Sequence, residues 1–576
     1  MMSSVRLVVL VVLLLCVVPI SVSAQPKRAN SPSPKLVVAI VIDQLRYDYL
    51  ERFDEHFVAA TKTSGGFKRL LERGALLTNV HYHYMNTYTA PGHCTIFTGM
   101  VPAKSGIVGN EWIDRNTGRV VYCVEDTSVF AVGVEAESRA GRMSPRNAFV
   151  EMVTDKFKAV SPKSKVIGIA LKDRGAILPA GKNADGAFWF DAASGNWISS
   201  SYYFPKGELP KWLQAFNERK LPESYFGKTW ERLLPADAYT MPDTVEGESN
   251  LLGETLPVFP HRIVDISALN DPRVRRLKRF EVIAPTPFGN ELTIEVAKAA
   301  IEGEALGQRG VTDILTISFS SPDYCGHAFG PDSQEQMDIF VRLDRQLDAF
   351  FQYLDKKIGF ENCLIALSSD HGVSPLPELV QPDGQRGERL YKAKVLDSLR
   401  KMVEVRYPNV IENIENDEVL LNHAVMQERG YVVSEVERFV GECARSLRGV
   451  IGYITRTELE KGSLDPTGRM AKNSFHPTRS GDVKLLLKPY SFFAFAQTGT
   501  THGTAYDYDT QVPMLFCGKG VRQGKFASTA FVEDFAPTLH RLLNLPEETA
   551  NYDGRPLVEI FERNMLSVSR SRKSRD

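Results

Sequence analysis

Little in this chain points to a membrane, a polyanion or a disulfide scaffold. Beyond its first two dozen residues, no segment approaches 18 consecutive apolar residues, the least a spanning helix needs. Neither charge sign is in excess: 69 Lys+Arg stand against 70 Asp+Glu, a formal net charge of −1. That leaves no overall basic field for gripping nucleic acid. Only 7 of 576 residues are cysteine, none is in a C-x-x-C pair, and no internal repeat is evident. What the chain has in quantity is core material. Its 43% hydrophobic content excludes a disordered or collagen-like protein. A length of 576 residues allows about three domains, or one large α/β domain carrying insertions.

Residues 1–24 read as a secretory leader. Arg6 supplies the positive start, Leu7 to Val18 the apolar stretch, and Val22-Ser23-Ala24 a small-residue cleavage site. The alternative is a membrane anchor, for which the run is short. Export is therefore expected, with no membrane contact after cleavage. Cys16 belongs to the leader. The remaining six cysteines (Cys94, Cys123, Cys325, Cys363, Cys443 and Cys517) could pair in an oxidising compartment or stay as buried thiols, and spacing assigns no pairs.

Several short apolar runs stop abruptly at polar residues. Leu36 to Ile42 ends at Asp43, Ile314 to Phe319 leads to Asp323, and Leu364 to Leu367 leads to Asp370. Continuous rather than alternating apolarity is what a strand buried on both faces requires. Amphipathic helices intervene: one starts near Ser333 and carries Phe340, Leu343, Leu347, Phe350, Phe351 and Leu354 at helical spacing. Another is expected over Phe531 to Leu543, with Pro537 early. The pattern predicts an α/β fold with a mostly parallel central sheet flanked by helices. Two stretches, about 183–285 and 376–480, break the rhythm and read as cap-like insertions in one catalytic domain spanning 25–576. The basic, Ser-rich end from Ser569 reads as a frayed tail.

Ligands of open α/β sheets bind beyond the carboxyl ends of the strands. Asp43, Asp323 and Asp370 are predicted there, with His327 four residues after Asp323, His371 adjacent to Asp370, and His502 in a THGT segment. Taken singly, each Asp also suits a helix cap or turn. Together, three carboxylates and three imidazoles suit zinc or another divalent ion, and six are enough for two metals. Paired metals are a known device for phosphoryl transfer. Thr89, at the start of a helix expected near Pro91, is either that helix's N-cap or a nucleophile activated by metal. His81 and His83 form an H-x-H pair without accompanying carboxylates and read as structural, as do His56, His261, His423, His476 and His540.

The segments VVAIVIDQLRYDYL, NTYTAPGHCTIFTG, SPDYCGHAFGP, SSDHG and THGT, in this order, resemble the alkaline phosphatase superfamily. Within it, the chain is similar to the nucleotide pyrophosphatase/phosphodiesterase branch with a Thr nucleophile. The resemblance covers about residues 36–545. It implies that Asp43, Thr89, Asp370 and His371 hold one zinc and Asp323, His327 and His502 the other. Asn110 in IVGNEW, with Lys172 and Arg174 in GIALKDRGAILPAG, resembles the phosphate-irrepressible periplasmic alkaline phosphatases, where these residue types contact phosphoryl oxygens. A cationic pair answers the dianionic charge of a phosphate monoester, while an apolar or sugar-binding pocket suits a diester better. The expectation is a di-zinc phosphomonoesterase working through a phosphothreonine on small phosphate monoesters. Alternatives are a phosphodiesterase with the same metals, a phosphonate hydrolase, or a non-catalytic metal- or phosphate-binding protein. A sulfatase is disfavoured, since Ile96 stands where C-x-P-x-R needs Pro.

Overall fold

The fold is described from a computed structural model, covering residues 33–269, 277–462 and 464–562. The leader reading, Cys16 and the basic tail lie outside these residues. Strands β1 (Leu36–Ile42), β2 (Val166–Ala170), β3 (Gly186–Asp191), β4 (Asp313–Phe319) and β5 (Cys363–Ser368) form the centre of a ten-stranded sheet in the order β5-β1-β4-β2-β3. All four central pairings are parallel. The centre is parallel as expected, while at the flanks Met514–Gly518 on one side and Asn196–Ser200 on the other pair antiparallel. The sheet is therefore mixed, parallel where it carries the acids.

Every residue of β1 is buried. Leu36, Val38, Ile40 and Ile42 enter one apolar layer, while Val37, Ala39 and Val41 enter the opposite one. This is why the strand reads as an unbroken apolar run: side chains alternate faces, and both faces are covered. One layer is closed by the helix Gln334–Lys357, whose N-cap Ser333 Oγ accepts the Gln336 N–H at 3.1 Å. The helix expected from Phe531 begins at Phe535, after a short 3-10 turn (Val532–Asp534), and Pro537 sits in its first turn.

The stretch 183–285 begins inside the sheet, because β3 and Asn196–Ser200 are two of its strands. Their apolar run is short and Trp- and Phe-rich, which hides a βα rhythm. The stretch 376–480 carries three strands of a separate antiparallel sheet, and the fourth lies just beyond it. The sheet's strands are β6 (Ile411–Glu415), β7 (Glu418–Leu421), β8 (Val450–Thr455) and β9 (Val483–Leu487), in the order β6-β7-β9-β8. Helices Lys392–Glu404 and Val433–Arg445 pack into a small apolar core with it. The six described cysteines are free thiols, five of them buried.

His261, in the first stretch, is fully buried between Glu254 (2.8 Å) and Glu335 (3.1 Å). Burial alone would lower its pKa, but the two carboxylates raise it to about 9. A folded-state pKa above the unfolded value adds stability that is complete below about pH 6.5 and is lost as pH rises to about 9. Urea unfolding is expected to show a loss of up to about 3 kcal/mol over that window. His261→Gln should flatten the slope; an unchanged slope in the variant would refute this assignment.

Candidate active site

The carboxyl ends of the parallel strands converge on one buried cluster. Asp43 follows β1 directly, Lys172 follows β2, Asp323 lies in the helix after β4, and Asp370 follows β5. All four are at most 6% exposed. Helix α1 (Thr89–Thr98) points its N-terminus at the same cluster. It approaches closely because Gly92 packs on Asp370, where a Cβ would stand 2.2 Å from the Asp370 carbonyl oxygen. Thr89 does not cap α1: Tyr88 holds the N-cap position and no side-chain cap bond forms. The Thr89 Oγ1 instead lies 3.4 Å from His371 Nε2 and 3.5 Å from Arg174 Nη2.

The three histidines share one device. His327 Nδ1 donates to the Thr500 carbonyl (2.7 Å), His371 Nδ1 to Gly372 (2.9 Å) and His502 Nδ1 to Thr87 (2.7 Å). A carbonyl acceptor fixes the proton on Nδ1, so each Nε2 lone pair is left facing the carboxylates, as metal-ligating imidazoles require. His327 Nε2 is 3.2 Å and His502 Nε2 3.5 Å from Asp323 Oδ1; His371 Nε2 is 3.4 Å from Asp43 Oδ1 and 3.5 Å from Asp370 Oδ2. Ligand atoms of Asp323, His327 and His502 lie within 4.8 Å of one another, as do those of Asp43, Asp323 and His371. Asp323 is common to both groups. Asp370 and Thr89 adjoin the second through His371.

The charge balance is uneven. Three buried aspartates face one ammonium, Lys172 Nζ, which bonds Asp43 Oδ2 (2.6 Å) and Asp323 Oδ2. Burial, with repulsion from Asp323 and Asp370, pushes the Asp43 carboxyl well above the usual range. Burial opposes ionisation of Asp323 too, yet His327 and Lys172 hold it well below. Burial drives His371 down to about 3, keeping it neutral and a free donor of its lone pair. Asp43 Oδ1 and Asp370 Oδ2 are buried without a hydrogen-bond partner. Orphaned carboxylate oxygens are costly unless a cation meets them. Together with the aimed Nε2 atoms, they make the donor set fit two divalent metal ions.

Beside the cluster, Asn110 Oδ1 accepts the Ala90 N–H at 2.9 Å, which leaves its amide N–H groups to donate near the start of α1. Arg174 Nη1 donates to the Tyr122 hydroxyl at 3.0 Å. A cavity of about 340 Å³ opens next to Lys172 and Arg174, walled by Tyr122, Tyr324 and Trp189. A larger cavity, about 870 Å³, lies elsewhere, between Trp112 and the inserted sheet, and contains none of these groups.

Two residues escaped sequence reasoning. Gln44 donates its backbone N–H to Asp370 Oδ1 (3.1 Å) and its side-chain amide to Asp323 Oδ1 (2.8 Å), tying both halves together from a left-handed conformation at φ 67°. Its signal was its place just after a strand-ending Asp. His93, one turn beyond Thr89, donates to the Thr89 carbonyl and lies 3.2 Å from Asp370 Oδ2. The H-x-H pair is split: His83 Nδ1 pairs with Glu533 at 2.6 Å, while His81 Nε2 meets Asn79.

The model of the type I phosphodiesterase/nucleotide pyrophosphatase family matches residues 37–509, from β1 to just past His502. The chain belongs to that family. Its relatives within this phosphodiesterase family include the alkaline phosphatase PafA of Elizabethkingia meningoseptica, 37% identical over 96% of this chain and 99% of that protein. The alkaline phosphatase PhoV of Synechococcus elongatus is 37% identical over 94% and 97%. A Myroides odoratus protein named a calcium-transporting ATPase is 38% identical over 92% and 95%. The crystal structure of PafA superposes with a TM-score of 0.85 at 36% identity, covering 92% of this chain and 100% of that one. The alkaline phosphatase-like α/β fold is thus shared across the full catalytic body.

Proposed function

We propose that this phosphodiesterase-family protein is an exported di-zinc alkaline phosphatase that hydrolyses phosphate monoesters through a phosphothreonine. The observation that carries the reading is the pair of ligand groups joined at Asp323, with Thr89 on one side and Lys172 and Arg174 beside it. Near full-length identity to two alkaline phosphatases supports it. Asp43, Thr89, Asp370 and His371 would hold one zinc, and Asp323, His327 and His502 the other. Bound zinc supplies Lewis acidity and lowers the pKa of a coordinated hydroxyl or water.

The chain's own groups do the rest. Thr89 Oγ1 forms the new P–O bond as the ester P–O bond breaks, and the alcohol leaves with a proton. Water then cleaves the phosphothreonine, releasing phosphate and restoring the hydroxyl. Asn110, Lys172 and Arg174 bind non-reacting phosphoryl oxygens, fixing the group for in-line attack. Lys172 holds the Asp43 and Asp323 carboxylates that would also serve the metals, so metal binding there would loosen its hold and free the ammonium for substrate. Recognition centred on a terminal phosphoryl group extends to the end of a nucleoside triphosphate, which accommodates the ATPase name of one relative. Among the described residues, no helix is long and apolar enough to cross a membrane.

Metal analysis of the purified protein, coupled to monoester and diester kinetics, tests this. Two zincs per chain, loss of turnover with a chelator and recovery with zinc are expected, with monoesters preferred. Full activity in metal-stripped protein, or faster diester cleavage, would overturn the reading; the latter outcome favours the phosphodiesterase alternative.

A further inference from the structure

The inserted sheet reaches the site through one hairpin. Strands β6 and β7 pair antiparallel, with Glu415 opposite Glu418, so their connection is the two residues Asn416 and Asp417. Both have positive φ, 51° and 59°, the form of a type I′ turn, which suits the twist of the flanking strands. The tip of this turn touches the segment that carries Asn110. Asn416 Nδ2 donates to the Glu111 carbonyl at 2.8 Å, immediately after Asn110. The approach depends on Gly109, where a Cβ would stand 2.6 Å from Asn416 Nδ2.

A second arm holds the other side of Asn110. Lys484, on β9, is 6% exposed, and its Nζ donates to the Asn416 carbonyl (2.8 Å) and to Asn86 Oδ1 (2.8 Å). Asn86 in turn donates its amide to the Val108 carbonyl at 2.7 Å. Asn86 also lies three residues before Thr89, and its backbone N–H meets Ser474 Oγ at 3.2 Å. Val108 and Glu111 are thus clamped by one connected network, with Asn110 between them. Its bonds from Lys484 to Asn86 and from Asn86 to Val108 are buried, where hydrogen bonds rigidify most, while the bond from Asn416 to Glu111 is exposed.

We infer that Asn416 and Lys484 are positioning residues: they fix the segment 108–111 so that the Asn110 amide meets the phosphoryl group, making the inserted sheet a brace for substrate binding. The inference rests on the proposed role of Asn110. It departs from the expectation that this stretch is a cap, since the contacts run to the floor of the site beside α1.

The test is a double-mutant cycle on the zinc-loaded full-length protein, using p-nitrophenyl phosphate as substrate and inorganic phosphate as inhibitor. Asn416→Gly removes the amide yet suits the left-handed turn. It is expected to lower kcat/KM about fivefold, the effect of one neutral hydrogen bond, and to weaken phosphate inhibition in step. Lys484→Met, which cuts both arms, should lose at least as much. Combined with Asn110→Ala, Asn416→Gly should cost nothing further, while any change it makes in melting temperature should persist. Wild-type rates in Asn416→Gly, or losses that multiply in the double variant, would overturn the inference while leaving the function intact. Wild-type rates in Asn110→Ala alone would instead remove the role of Asn110, and the inference with it.

Discussion

Thr89→Ala is expected to lower turnover of a phosphate monoester on the order of a thousandfold or more, as loss of a nucleophile does in enzymes that act through one. Folding should be nearly untouched. The Thr89 hydroxyl makes only the long approaches to His371 and Arg174 and caps no helix, so its removal breaks no strong bond. Thr89→Ser, which removes only the methyl, keeps the hydroxyl and should retain much of the rate. Rapid acid quenching during turnover, followed by mass spectrometry, should find phosphate on Thr89 in the wild type and not in the alanine variant. Near-wild-type hydrolysis by Thr89→Ala, or phosphate on another residue, rules out this nucleophile.

The other large effect is one of selectivity. Replacing Lys172 and Arg174 together by alanine should cut kcat/KM for a monoester by about a thousandfold, within the range seen when preorganised donors to a reacting group are removed. A diester carries less charge on those oxygens, so its loss should be smaller by at least about tenfold. Equal losses on both substrates would refute a role in selecting dianions. Lys172 needs a separate control, because its ammonium also neutralises Asp43 and Asp323. Zinc content should be measured beside the rates, so that a change in metal loading is not mistaken for a change in selectivity. Lys172→Ala is expected to bind zinc at least as well as wild type, since a competitor for the carboxylates is gone.

Much of this site could be read in the sequence because its chemistry coincides with breaks in apolarity. Asp43, Asp323 and Asp370 each terminate or follow a run that only a doubly covered strand explains, and the topology of parallel strands places such ends together. Thr89 was ambiguous for a physical reason. A threonine at the first turn of a helix serves as cap or as exposed hydroxyl, and only the position of Tyr88 separates the two. Gln44 had only its place after a strand-ending Asp to mark it, and His93 nothing, because their roles depend on partners hundreds of residues away. The antiparallel flanks of the sheet were hidden for a related reason: short buried strands look alike whichever way they run. The hairpin at Asn416 was hidden most deeply. Nothing in an Asn-Asp turn tells which loop of another sheet it will press against.

Asp43 and His502 stand near opposite ends of the described chain, yet they belong to adjoining ligand groups. This has a consequence in time. As the polypeptide emerges from synthesis, β1 and the Thr89 helix are made long before β5, and the THGT loop last of all. A partly made chain holds acids without their imidazoles, and a threonine without the histidines that surround it. Reactive chemistry therefore waits until almost the whole body has folded. A chain cut short before His502 would be inert, however well its first half had formed.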